Sequence, residues 1–143
     1  MDIQCDSHFA IGSTHSVCED YALALQGEQP FAMVSDGCSS SPATDIGSRI
    51  LTRCLAQRLL ACTGLEDSLL LESIDEARGI AAKMSLPMEC LDSTLMVARV
   101  IGDSVSVLVA GDGVVACTMR DGSRRAWEIG YHRNAPAYLN YHA

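Results

Sequence analysis

The hydrophobic period changes twice along this chain, and that order limits the folds open to it. "DYALALQ" (20–26) sets Tyr21, Leu23 and Leu25 against smaller neighbours, the period-two alternation of a strand. Residues 3–11 alternate more loosely and are predicted as a strand preceding it. "PFAMVSD" (30–36) is a continuous apolar run, predicted as a third strand buried on both faces. After Pro42 the period becomes helical. Ile46, Ile50 and Cys54 recur at i, i+4 and i+8 beside Gly47, Leu51, Leu55 and Leu59, one apolar face of a helix over 43–62. Pro42 suits its first turn and Thr63-Gly64 its end. A second helix is expected over 67–84, with Leu70, Ile74, Ala77, Ala81 and Met84 on one side and Pro87 beyond it. Then the period returns to two. "STLMVARVI" (93–101), "SVSVLVA" (104–110), "VVACTMR" (114–120) and "RRAWEIGY" (124–131) are short strands separated by Gly102-Asp103, Asp112-Gly113 and Asp121-Gly122. Turns that tight predict an antiparallel meander. Three strands, two helices and four strands make an α+β domain, not an alternating βαβ one. The tail "NAPAYLNYHA" carries no period and is expected to be irregular.

At 143 residues the length suits one domain, and 48% hydrophobic residues can build a core. No apolar run reaches the roughly 18 residues of a membrane span. "MDIQCDSHF" has neither a basic n-region nor an apolar h-region, so a cytoplasmic protein is expected. Seven cysteines, an odd number without a C-x-x-C pair, fit neither a disulfide framework nor a zinc ribbon. Most of them are expected to pack as small core residues. A net charge of −8 argues against nucleic-acid binding, which needs cations against phosphate. It is compatible with a carboxylate-lined cation site, and also with plain solubility.

Asp36 ends the apolar run and Gly37 follows it. Asp-Gly is a strong turn signal, and three such pairs occur here. A carboxylate at the end of a buried strand can also bind a hard cation such as magnesium or manganese, with the Gly carbonyl as a second oxygen. Glu19-Asp20 sits at another strand edge, either as a solvated pair or as further oxygen ligands. Asp112 is a hairpin turn when taken alone.

Together these blocks resemble a family. His15-Ser16-Val17-Cys18-Glu19-Asp20 is similar to the Arg-x-x-x-Glu-Asp motif of the metal-dependent protein phosphatases of the 2C type. "FAMVSDG" resembles their strand ending in Asp-Gly. "DSTLMVARVIGDSVSVLVAGDG" resembles their Ser/Gly-Thr-Thr strand and Gly-Asp-Ser/Gly turn, and the two intervening helices match. The resemblance spans roughly residues 8–140. It implies an antiparallel β-sandwich flanked by helices, incomplete in this chain, with two divalent ions (Mg or Mn) at one end and a phosphoprotein as substrate. By position, Asp36 would bridge the ions, Gly37 would give its carbonyl, Glu19 would act through water, Asp20 would support the ligands, and Asp112 would lie near a weaker outer ion. The implied reaction is hydrolysis of a phosphoserine or phosphothreonine by a metal-activated water, with no covalent intermediate.

The chain departs from the family pattern in two ways. His15 stands where the family has an arginine that grips phosphate, so weaker phosphate capture is expected; the other reading of His15 is a surface loop residue. The family's later strand-Asp-Gly and Asp-Asn motifs are not found after Gly122. Residues 1–143 are therefore expected to be the N-terminal portion of a single phosphatase-like domain, inactive by itself, with open strand edges available for a homodimer. No membrane partner is expected. Cys18 and Cys38 flank the site, either as a redox pair or as incidental small residues. Trp127 and Tyr131 are expected at the core or an edge. Three functions stay open: a Mg- or Mn-dependent Ser/Thr phosphatase domain, a non-catalytic regulatory or interaction module of the same fold, and a small ligand-binding protein with ordinary Asp-Gly turns.

Overall fold

The computed structural model describes residues 3–130 and 136–142. Strands β1 (Tyr21–Leu25) and β2 (Phe31–Ser35) lead into helices α1 (Thr44–Ala61) and α2 (Asp67–Lys83). A 3-10 turn (Met88–Leu91) follows, then β3 (Leu95–Ile101), β4 (Ser104–Ala110), β5 (Gly113–Thr118) and β6 (Arg124–Ile129). Strands β1 to β4 form an antiparallel sheet in chain order, and β5–β6 form a separate two-stranded ribbon. The fold is α+β, with antiparallel sheets and two helices.

The helices cover one face of the sheet, which decides what each strand buries. In β2, Phe31, Met33 and Ser35 are buried while Val34 is exposed, so the apolar run is a one-sided strand, not one buried twice. Met33 joins Leu51, Leu55, Leu59, Ile74, Leu91, Leu95 and Val97 in the core. The buried arc of α1 is centred on Gly47, Leu51, Cys54, Leu55 and Leu59; Ile46 is exposed and Ile50 only half-buried. Gly47 explains the shift. A Cβ there would lie 1.7 Å from the Cys90 carbonyl oxygen, so α1 rests its backbone directly on the 3-10 turn. In α2, Leu70, Ile74, Ala77 and Ala81 are buried as expected, whereas Met84, just past the helix end, is exposed.

Other expectations are corrected. Residues 3–11 form no strand. The polar centre Asp6-Ser7-His8 leaves no apolar face to bury. The segment is held instead by the Cys5 thiol on the Leu25 carbonyl (3.1 Å) and by Gln26 on the Cys5 carbonyl (2.6 Å). The four late strands are not one meander. β3 pairs with both β2 and β4, but β4 and β5 share no ladder, because Gly111 (φ 95°) turns the chain out of the sheet. All seven cysteines are free, and only Cys54 and Cys90 are buried. Trp127 is half exposed on the ribbon; Tyr131 lies outside the described residues. The tail is not irregular throughout. Leu139–Tyr141 forms a 3-10 turn that buries Tyr138 and Leu139, and the Asn140 side chain bonds Arg78, the Met88 carbonyl and Asp92. No helix among the described residues is long and apolar enough to cross a membrane.

Candidate active site

Register brings the acidic residues together. Tyr21 pairs with Ser35, so Asp20 and Asp36, one residue further along each antiparallel strand, meet at the same sheet end. Val34 pairs with Met96, which carries Asp36 alongside Thr94. Leu95 pairs with Ala110, and the turn after Ala110 delivers Asp112 to that end as well. A cleft of about 350 Å³ opens there, lined by Asp20, Asp36, Thr94 and Asp112 together with His8 and Phe9.

Asp36 is fixed by its backbone. Its N–H donates to the Thr94 hydroxyl (2.9 Å), and its carbonyl accepts from the Thr94 N–H (2.9 Å). Gly37 is bridged to Ser93. The flanking bonds, Thr94 N–H to Asp36 and Cys38 N–H to the Asp92 carbonyl (2.8 Å), leave the Gly37 carbonyl outside the ladder. Only glycine fits here. A Cβ would stand 2.8 Å from the Glu19 carbonyl oxygen and 2.9 Å from the Thr44 Cβ.

The Asp36 residue keeps access to solvent, yet its carboxyl group loses enough water to push its pKa up to about 6. Desolvation is the largest cause. The charge of Asp20 and a hydrogen bond donated to it by protonated Asp36 come next, then the charges of Asp112 and Glu19. Each of these contributions raises the value. Like charges held this close favour a bound proton or a bound cation.

Glu19 stands at the rim. Its Oε2 meets His15 Nδ1 at 2.9 Å and accepts from the Ser39 hydroxyl at 2.9 Å. His15 thus faces the acidic cluster through Glu19. Cys18 bonds the Asp20 carbonyl at 3.6 Å, and Cys38 sits 3.1 Å from the Ser40 hydroxyl, which draws its thiol below the usual value. Sequence reasoning missed Asp92, which is 4% exposed. It accepts from Ser41 (2.9 Å) and Asn140 (2.8 Å) and anchors the loop after Gly37. Its one sequence signal was a carboxylate directly before an apolar strand.

Among the described residues, no group of three or more His, Cys, Asp and Glu side chains is arranged to hold a metal ion by itself. The chemistry of the donors does suit one. They are all oxygens, their like charges repel one another, and a hard dication that completes its coordination with water or substrate oxygens would relieve that repulsion.

The family model of protein phosphatase 2C matches residues 8–134. The chain belongs to the protein phosphatase 2C family. The match runs from the segment before Glu19 through both helices, the four-stranded sheet and the ribbon, so it contains every acidic residue of the cleft. A comparison with curated proteins finds no match.

Proposed function

We propose that this member of the protein phosphatase 2C family is a Mg- or Mn-dependent phosphoprotein Ser/Thr phosphatase domain, of which these residues supply the N-terminal portion. One observation carries the reading. Asp20, Asp36 and Asp112 converge on one cleft, and the charges of Asp20 and Asp112 both push the Asp36 pKa upward. A carboxylate in an ordinary, well-hydrated Asp-Gly turn would not be expected to have its pKa raised to about 6, by desolvation first and then by Asp20, Asp112 and Glu19.

In this reading Asp36 and the Gly37 carbonyl would hold the cation, Asp20 would support them, and Glu19 would act through water. A divalent ion bound there would polarise a phosphoryl oxygen and acidify a water. The chain's own part is placement. The paired Asp36–Thr94 bonds fix the carboxylate before any ion arrives, so little reorganisation is needed on binding. His15 and Ser39 hold Glu19 by one oxygen, Oε2. His15 then presents its remaining ring nitrogen at the rim, a place where a phosphate oxygen can be met. Asp112 lines the same cleft and would lie near a weaker outer cation.

A second reading, a non-catalytic module of the same fold, is favoured by a specific observation: among the described residues no three acidic or imidazole groups chelate unaided. The deciding experiment, made on the complete domain to which these residues contribute, is phosphate release from a phosphothreonine peptide with and without manganese, together with manganese binding by calorimetry. Chelator-sensitive release that Asp36→Asn abolishes supports the phosphatase. Manganese binding without release, at any pH between 6 and 9, supports the module.

A further inference from the structure

Arg49 and Arg53 sit four residues apart on α1, so they share one side of the helix, a spacing at which like charges destabilise. Aromatic rings hold them there. The Arg49 guanidinium lies 5.4 Å from the Tyr21 ring centre and 6.0 Å from that of Phe9, and the Arg53 guanidinium lies 5.8 Å from Tyr21. Cations are attracted to ring faces at such distances. Arg53 Nη2 also donates to the Tyr21 hydroxyl (2.8 Å), and Arg49 Nη1 donates to the carbonyls of Cys18 (3.3 Å) and Asp45. These acceptors are all neutral. Among the described residues the ion pairs are His15 with Glu19 and Arg58 with Glu72 and Glu76, so neither Arg49 nor Arg53 has a carboxylate. They stay unpaired in a chain of net charge −8, where acidic partners are plentiful. Each uses one terminal nitrogen and keeps further N–H groups for an incoming acceptor.

The pair adjoins the acidic cleft. Phe9 and Tyr21, the rings that carry the arginines, are also part of the cleft wall beside Asp20. Ser48 donates to the Glu19 carbonyl (2.8 Å) and ties this turn of α1 to the rim. One residue step of about 3.8 Å, the tyrosine side chain and ring contacts of 5.4 and 5.8 Å separate the Asp20 backbone from the guanidiniums, about 15 Å at most. Both arginines line a hollow of about 260 Å³ with Ile50, Cys54 and Ile80, on the helix side of the sheet. In the β-sandwich that the family resemblance implies, a second sheet would pack on the opposite face of β1–β4, away from this side of α1.

We propose that Arg49 and Arg53 form an anion subsite for a second oxyanion of the substrate, a carboxylate or another phosphorylated side chain, within about five residues of the phosphoryl group to be removed. This rests on the phosphatase reading for what occupies the cleft. Two guanidiniums side by side meet an oxyanion with paired N–H bonds. An extended peptide covers about 15 Å in four to five residues, which sets the reach. The subsite offsets the repulsion that three cleft aspartates exert on an acidic substrate. It also adds grip where the rim offers the phosphate an imidazole, His15, and no guanidinium fork.

The complete domain is given phosphothreonine peptides that carry, three residues before or after the phosphothreonine, a glutamate, a non-hydrolysable serine phosphonate or a glutamine. The expected KM is about fivefold or more lower with glutamate or phosphonate than with glutamine, with the effect on KM rather than kcat; the lower of the two identifies the anion. In Arg49→Gln/Arg53→Gln the three KM values should converge on that of the glutamine peptide. The wild-type preference should shrink as salt is raised. Arg53 is exposed and makes one hydrogen bond, so Arg53→Gln alone keeps the test available should the double variant fail to fold; it should reduce the preference at least about twofold. Binding is read separately on this chain, from the side-chain N–H resonances of Arg49 and Arg53, with the same peptides lacking the threonine phosphate. Both anionic peptides should shift them and the glutamine peptide should not. Such shifts without turnover by the complete domain would keep the subsite and remove the phosphatase reading. Turnover with equal KM for all three peptides would keep the phosphatase and overturn the subsite. A preference that survives in the double variant also overturns it, as does tighter binding of a poly-uridine oligonucleotide at the same resonances.

Discussion

Asp36 and Thr94 are joined by two reciprocal hydrogen bonds, backbone N–H to hydroxyl and carbonyl to backbone N–H, each 2.9 Å. They lock the end of β2 to the start of β3, and so fix where the most perturbed carboxylate points. Thr94→Val keeps the shape but removes the acceptor, leaving the Asp36 N–H without its partner. The expected cost is about 1–2 kcal/mol in denaturant unfolding, with weaker manganese binding. Unchanged manganese affinity would mean that the bond does not position Asp36.

Asp36→Asn has opposite effects on stability and function. A folded-state carboxyl pKa raised to about 6 means that ionisation above that pH costs stability, while stability from this group is full below the unfolded value near 3.9. The neutral amide removes that cost. In a chelator at pH 7.5 the variant should be more stable by about 1 kcal/mol, after allowance for solvent screening, or roughly 2–4 °C in Tm. In the complete domain, phosphate release should fall about 100-fold or more, since even supporting ligands cost about 10–100-fold. A variant less stable than the parent and equally active would reduce Asp36 to a turn residue.

The same pKa sets a pH window. Proton and cation compete for Asp36, so manganese affinity should fall steadily as pH drops through about 6, with Asp20, Asp112 and Glu19 facing the same space. Calorimetry at pH 7.5 and 5.0 is expected to differ by about tenfold or more, one pH unit below the pKa being worth about tenfold in the ionised fraction. Equal affinities would place the cation elsewhere.

His15 bonds Glu19 at the cleft rim in the family's arginine position. In the complete domain, His15→Arg should lower KM for a phosphopeptide with kcat little changed, because a planar guanidinium can grip phosphate with two parallel hydrogen bonds where an imidazole ring cannot. A KM that stays level or rises, with the fold intact, would mean that residue 15 does not face the phosphate.

Asn140 fastens the C-terminal turn to Arg78 (2.7 Å from its carbonyl) and to the buried Asp92. Asn140→Ala leaves Asp92 without that donor. A loss of about 1–3 kcal/mol is expected, read as a lower unfolding midpoint. An unchanged midpoint would show the docking to be incidental.

Much of the architecture was written in the order of residues. Period-two and period-3.6 segments placed both helices and six strands to within a few residues, because burial on one face imposes those periods locally. The motif blocks around Glu19, Asp36 and Asp112 likewise pointed to one family, since short-range chemistry and spacing are visible in a linear string. What a strand buries, and whom it pairs with, is not. Val34 was read as core and is exposed, because only one face of β2 meets the helices. The late strands were read as one meander and are two sheets, because Gly111 adopts a left-handed conformation that no periodicity records. Asp92 and Asn140 lie 48 positions apart and have meaning only as a pair. Sequence alone determined the elements and the types of oxygen available. The tertiary register of β1, β2 and β3 decided that those oxygens share one cleft, and there desolvation first, then the neighbouring charges, raise the pKa of Asp36.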